Sequence, residues 1–228
     1  MAELTPFAIW ALSGGRFPLA LGVLQILALD IGTDTLSAAA LGAEPASPHV
    51  MNRPPTSGRL LSRTVAIRAF GILGPTEALF EMAAFVLAMV IAGWTLGGEF
   101  PTGPALAAAS GAAFLTVVVA QSANTFACRS SQRPAWKLGW FSNRFLVLDV
   151  LVGFAFAVAL VVVPAAADLL DQQWPPAGAW VVILAAAPAV IVVDAAWKRW
   201  TRVRPEPGAP AGAEPAGSAD QPASTQVS

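Results

Sequence analysis

Charge is scarce along this chain: Asp, Glu, Lys and Arg make up 12% of it against 56% hydrophobic residues, with a mean hydropathy of +0.63. An ordinary soluble domain carries about 25% charged residues, so this composition excludes one and indicates an integral membrane protein. The formal net charge of -1 offers no general attraction for nucleic acid. A lone cysteine, Cys128, excludes an internal disulfide and a thiolate metal cluster. No internal repeat, phosphate loop or nucleotide-binding glycine pattern is present, and the Gly-Gly pairs sit at the ends of apolar segments. No basic stretch precedes the first apolar residues; Glu3 stands there instead, which argues against a secretory signal. Period-2 alternation is absent too, so helices are expected rather than barrel strands.

What the chain does have is long apolar runs. A hydrocarbon core roughly 30 Å thick needs about 20 helical residues to cross it. Segments near 19–41, 65–94, 105–128, 145–164 and 179–197 fit that length. The expected fold class is therefore an all-α integral membrane bundle of five transmembrane helices. A sixth apolar piece, Thr5 to Leu12, is too short to cross and is closed by Ser13, Gly14 and Gly15. The expected organisation is a partial helix and outer loop over 1–17, a membrane domain over 18–204 and a tail over 205–228. The tail is rich in Pro, Ala, Gly, Glu and Ser, and is expected to be disordered because it has too little apolar surface to offset its chain entropy.

The loops set an orientation. Arg53, Arg59, Arg63 and Arg68 lie between or just inside the first two spans; Arg129, Arg133, Lys137 and Arg144 lie between the third and fourth; Lys198, Arg199, Arg202 and Arg204 follow the fifth. The other two loops hold Glu99, Asp168 and Asp171 without a Lys or Arg, so the arginine-rich loops and the carboxyl tail are expected in the cytoplasm. Arg16, in the outer entry loop, is the one basic residue that runs against this pattern. Trp136, Trp140, Trp174, Trp180, Trp197 and Trp200 fall at span boundaries and read as an interfacial belt.

Polar residues inside the spans carry the chemistry. An Asp at a helix centre costs about 2.5 to 3.5 kcal/mol to insert, whereas each Leu, Ile or Val returns only about 0.3 to 0.6 kcal/mol. The first span, with Asp30 and Asp34, is therefore marginal alone and needs neighbouring helices, water or a bound cation. Asp30, Thr33 and Asp34 follow an i, i+3, i+4 spacing, which on an α-helix stacks two carboxylates and a hydroxyl on one face, a donor set suited to a hard cation. Gly32 between them would let the helix open and lend carbonyls. The plainer alternative is a structural role, with the carboxyls protonated or paired. Gln121 and Asn124 repeat the i, i+3 pattern in the third span, where interhelical hydrogen bonding is the alternative. Glu77 and Glu81, four apart in the second span, are either further ligands or a proton site. Asp149 and Asp194 are expected to pair with Arg144 and Lys198 near the cytoplasmic ends.

Four stretches together, ELTPF (Glu3 to Phe7), LQILALDIGTD (Leu24 to Asp34), ALGAEPASPHVMNRPP (Ala40 to Pro55) and VVVAQSANTFACRS (Val117 to Ser130), carry a resemblance. The chain resembles the carboxyl-terminal membrane part of the P-type cation-transporting ATPases, the group containing the sodium/potassium and calcium pumps. The Asp-x-Gly-Thr-Asp motif followed by Met-x-Arg-Pro-Pro is its most specific part; the last two spans match mainly by hydropathy and loop charge. The resemblance implies that the spans are the family's sixth to tenth helices and that Asp30, Thr33 and Asp34 coordinate a transported cation. It also implies that Gln121, Asn124 and Glu3 join that metal site. An aspartate at position 30 looks like the sodium/potassium branch, but Asn124 stands where sodium pumps often place an Asp, so sodium, potassium and calcium all stay open.

The family phosphorylates an Asp in an Asp-Lys-Thr-Gly motif and binds ATP in a separate domain, and neither feature occurs in this sequence. No catalysis by the chain alone is expected. The resemblance implies a partner, the amino-terminal portion of such a pump, supplied separately or removed by truncation, together with the lipid bilayer and no nucleic acid. The alternative reading is a membrane interaction or regulatory protein, or a remnant, that does not transport.

Overall fold

The computed structural model describes residues 2–44, 63–130 and 133–203. The Met-x-Arg-Pro-Pro loop, Arg53, Arg59, Arg204 and the tail from 205 onward lie outside the described residues. Among those described, every regular element is helical. The elements are α1 (Leu4–Leu12), α2 (Val23–Gly42), α3 (Arg63–Ile91), α4 (Pro104–Cys128), α5 (Arg144–Val162), the short α6 (Pro164–Leu169) and α7 (Trp180–Val203). Five of them, α2, α3, α4, α5 and α7 with its short lead-in, are long and apolar enough to cross a membrane. α1 ends where the sequence led us to expect, with Gly15 at a φ of 76° donating its N–H back to the Trp10 carbonyl at 2.9 Å.

α4 is the hub. It is buried over 67% of its apolar window, whereas α2 is buried over 22%. Its small residues, Ala109, Gly111, Ala112, Ala113, Ala120 and Ala123, let α3 and α7 approach closely, as small residues do between membrane helices. Phe85 and Met89 of α3, Phe114 and Leu115 of α4 and Ile183 of α7 fill the main core, which reaches α2 through Leu29 and α5 through Ala157 and Val161. Gly111 is obligatory here, because a Cβ would run into the backbone carbonyl of Gln173, whose N–H is held by Ala107 O at 2.9 Å.

Polar ties close the bundle at both ends. At one end Gln25 donates to Ser110 Oγ at 2.9 Å and to Gln172 Oε1 at 2.8 Å, and Ser110 donates to Ala20 O. At the other, Asp194 of α7 accepts from Arg68 of α3 at 2.6 Å and from Lys198, one turn on, at 2.5 Å. Arg68 and Lys198 both also reach the carbonyl of Ala127, at the end of α4. The Asp194–Lys198 pair matches the sequence expectation. Asp149 does not pair with Arg144: it accepts from Ser37 of α2 at 2.7 Å. Residues five apart on an α-helix lie on different faces, so that pair cannot meet along α5.

A third tie joins the end of α2 to the start of α5. Arg129 forks onto Glu44 (2.7 to 3.0 Å), and Asn143 donates to Glu44 at 2.7 Å while capping α5 through the Leu146 N–H. Partial burial pushes the Glu44 carboxyl up, but the hydrogen bonds from Arg129 and Asn143 and the Arg129 charge outweigh it and hold the group below the ordinary range. A depressed folded-state pKa stabilises above the unfolded value of about 4.3 and is lost as pH falls through the folded value. Protection of the Ala40–Glu44 and Asn143 amides from hydrogen exchange, taken relative to the intrinsic rate at each pH, is therefore expected to fall as the solution is acidified through and below the ordinary carboxylate range. Glu44→Gln is expected to show the lower protection already at neutral pH, with the acid-induced step gone.

Candidate cation site

The Asp30–Asp34 stretch is a π-helical turn set inside α2. A π turn holds more residues than an α turn, so residues four apart stay nearly aligned while a residue three along rotates away. Asp30 and Asp34 accordingly both face outward, and Thr33 is buried. The Thr33 hydroxyl donates to Leu29 O at 2.7 Å and lies 3.4 Å from Asp34 Oδ1, at the margin of the carboxylate pair rather than stacked with it. Gly32 fits against α5: a Cβ there would overlap the Phe156 ring, and Thr33 packs on Gly153 across the same seam. The glycine thus lets the acidic turn seat closely on its neighbour.

Glu3, just before α1, completes a cluster with Asp30 and Asp34 in which one carboxyl oxygen from each lies within 4.8 Å of the others. Gln121 of α4 donates to Glu3 Oε1 at 3.2 Å and is tied to the cluster through it. Asn124, one turn further along α4, lies against Glu77 of α3 instead and accepts weakly from Cys128. Of the residues expected to act together, Glu3, Asp30 and Asp34 meet directly, Gln121 joins at one remove, and Thr33 and Asn124 stand at the edges.

A cavity of about 460 Å³ opens beside the cluster, bordered by Glu3, Asp34, Ser37, Arg68, Glu77, Gln121 and Asn124. Ser37 and Arg68 were not singled out in sequence as parts of such a site. Ser37 lies three residues after Asp34, a spacing that could have pointed to it; Arg68 arrives only through the packing of α3. The guanidinium is already committed to Asp194 and Ala127 O, so it borders the cavity as a structural cation.

Three carboxylates this close repel one another, and a cation held between them would offset that repulsion. Hard cations of the sodium, potassium and calcium type take oxygen ligands, and carboxylates with amide oxygens are such a set. Asp30 and Asp34 are exposed on an open flank of the bundle, mid-span, where lipid alone would be a costly neighbour.

Residues 18–200 match the family described as the cation transporting ATPase carboxyl terminus. The chain is 30% identical over 190 residues to the probable cation-transporting ATPase F of Mycobacterium tuberculosis, covering 80% of this chain and 19% of that protein. It is 29% identical over 179 residues to calcium-transporting ATPase 1 of Bacillus cereus, covering 74% of this chain and 20% of the relative. It is 24% identical over 206 residues to the sodium/potassium-transporting ATPase subunit alpha-3 of Gallus gallus, covering 78% and 20%. The chain thus spans about a fifth of the length of these relatives.

Proposed function

The chain belongs to the carboxyl-terminal membrane region of the P-type cation-transporting ATPases, and from that premise we propose that it holds the cation-coordinating part of a pump whose remaining portion carries the phosphorylation and nucleotide-binding domains. The observation that carries this reading is the Glu3–Asp30–Asp34 cluster, gathered within 4.8 Å on an open, mid-span flank. A membrane protein does not leave charged groups facing lipid; such residues face other helices or an aqueous path and mark ion routes. The flank is the surface on which the rest of the pump docks, and Asp30, Asp34, Glu3, Thr33, Gln121 and Asn124 are the candidate ligands for the cation.

The charge distribution supports an orientation in which the Arg68–Asp194–Lys198 end and the carboxyl terminus face the cytoplasm. Catalysis then lies with the partner portion, and this chain supplies the binding site that the partner's conformational cycle opens and closes. Cation selectivity among sodium, potassium and calcium follows from the complete ligand set.

The reading is tested by ATP-driven uptake of sodium, rubidium and calcium into sealed membrane vesicles from cells with and without the chain. Uptake of one of these ions should disappear on deletion and return with the wild-type chain. Uptake of all of them unaffected by the deletion would sink the proposal.

A further inference from the structure

Glu77 and Glu81 lie one α-helical turn apart on α3 and are both buried, at 7% and 0% exposure. Neither carboxyl oxygen of Glu81 has a hydrogen-bond partner, nor does Glu77 Oε1. Gln121 Oε1, on α4, is likewise buried without a partner. The charges nearest Glu81 include those of Glu3 and Glu77, and the Asn124 amide lies against Glu77. Four acceptor oxygens, three on α3 and one on α4, are therefore buried without a hydrogen-bond partner among the described residues, while Glu77, Gln121 and Asn124 border the cavity. Arg68, the basic side chain on that cavity, is bound to Asp194 and Ala127 O.

Each unsatisfied buried acceptor is unfavourable, and a buried carboxylate far more so. Hydrophobic side chains in the same seam would pack without that cost. The oxygens here are amide and carboxyl oxygens drawn from two helices, which is the donor set of a hard cation rather than of a transition metal. Gln121 bridges the two regions, with its amide nitrogen on Glu3 and its oxygen free.

We propose that Glu77 and Glu81 of α3, with Gln121 and Asn124 of α4, form a second cation position next to the Glu3–Asp30–Asp34 cluster and linked to it through Gln121. The proposal extends the function proposed above, on which it rests for the first position only; the second position stands on its own orphaned oxygens. A cation entering along the cavity passes from Asp34 and Glu3 to Gln121 and Glu77 without leaving oxygen ligands. Glu81, the most deeply enclosed, ends the path.

The test is the number of ions bound by the full chain in lipid nanodiscs, read by equilibrium dialysis with calcium and with sodium, each alone. Glu77→Gln/Glu81→Gln is compared with wild type and with Asp30→Asn/Asp34→Asn. The expected result is one bound ion fewer in the Glu77→Gln/Glu81→Gln chain, with the affinity of the ion that stays unchanged. Equal numbers in that variant and in wild type overturn the proposal, and the glutamates are then buried neutral acids; no bound ion in wild type overturns it as well. If Asp30→Asn/Asp34→Asn binds as many ions as wild type while the glutamate variant loses one, the first position fails and this one stands. Gln matches Glu in shape and removes the insertion penalty, so folding should survive; if the double variant is not monodisperse, Glu81→Gln alone is read by the same criteria.

Discussion

Replacing Asp30 and Asp34 together by Asn is expected to weaken cation binding by roughly a thousandfold and at the same time to make the cation-free chain more resistant to heat. The first half follows from charge. A unit charge about 4 Å from a cation interacts by about 4 kcal/mol at an effective dielectric near 20, and even half of that per carboxylate, after desolvation, is more than about tenfold in affinity. The second half follows from geometry, because the cluster brings three carboxylates within 4.8 Å of one another, and Arg68, the basic side chain on the adjoining cavity, is bound to Asp194 and Ala127 O. Neutral amides at two of these positions remove that repulsion and lower the insertion penalty of α2. A purely structural pair of aspartates predicts the opposite sign, namely a less stable chain with unchanged ion binding. Cation titration and thermal unfolding of the same nanodisc samples separate the two.

Asp194→Ala should be the most damaging single substitution among the polar ties. It leaves Lys198, which is 2% exposed, and Arg68 without their carboxylate, and breaking one member of a buried pair typically costs 3 to 5 kcal/mol, about 6 to 20 °C in unfolding temperature for a chain of this size. The loss spreads because the trio also holds the carbonyl of Ala127, so α3, α4 and α7 separate at that end together. Replacing Arg68, Asp194 and Lys198 all by apolar residues should recover much of the loss, since no charge then stays buried alone. Cation binding at the Asp30 cluster should fall far less than stability does. An Asp194→Ala chain that melts with wild type would mean that these bonds do not hold the bundle.

The five spans were legible in the sequence because bilayer thickness is a hard ruler and a helix satisfies its own backbone. The π turns were not. Hydropathy does not register which carbonyl a backbone N–H selects, and the turns at Asp30–Asp34 and Ile67–Leu73 change side-chain direction without changing composition. The second of these runs into Gly74 and Pro75; a wider turn ahead of Pro75 accommodates the ring and its missing N–H. The first explains why Asp30 and Asp34 share a face while Thr33, expected beside them, turns inward. Local charge pairs followed the same division. Asp194 with Lys198 was readable from i, i+4 spacing, but Arg68 reaches Asp194 and Ser37 reaches Asp149 only through tertiary packing.

For the cation cluster, motif and chemistry pointed to Asp30 and Asp34 and the family resemblance to Glu3, and their side chains do converge. Nothing local to Glu3 could have indicated that, since it depends on tertiary packing that brings the residue before α1 to Asp30 and Asp34 of α2 and Gln121 of α4. Glu77 and Glu81 showed the spacing of a shared face, but spacing does not reveal whether a face meets donors, and here three of the four carboxyl oxygens meet none.

The most direct measurement is to tag the carboxyl terminus at the native locus, solubilise the membranes gently and ask what polypeptide the tag brings down and whether it takes phosphate from ATP in a cation-dependent manner. A pump's membrane part should be recovered continuous with, or bound to, a polypeptide that becomes phosphorylated, with the response to cation lost in Asp30→Asn/Asp34→Asn. Recovery of a 23.5 kDa chain alone, with no cation-dependent phosphorylation in the purified material, would contradict it.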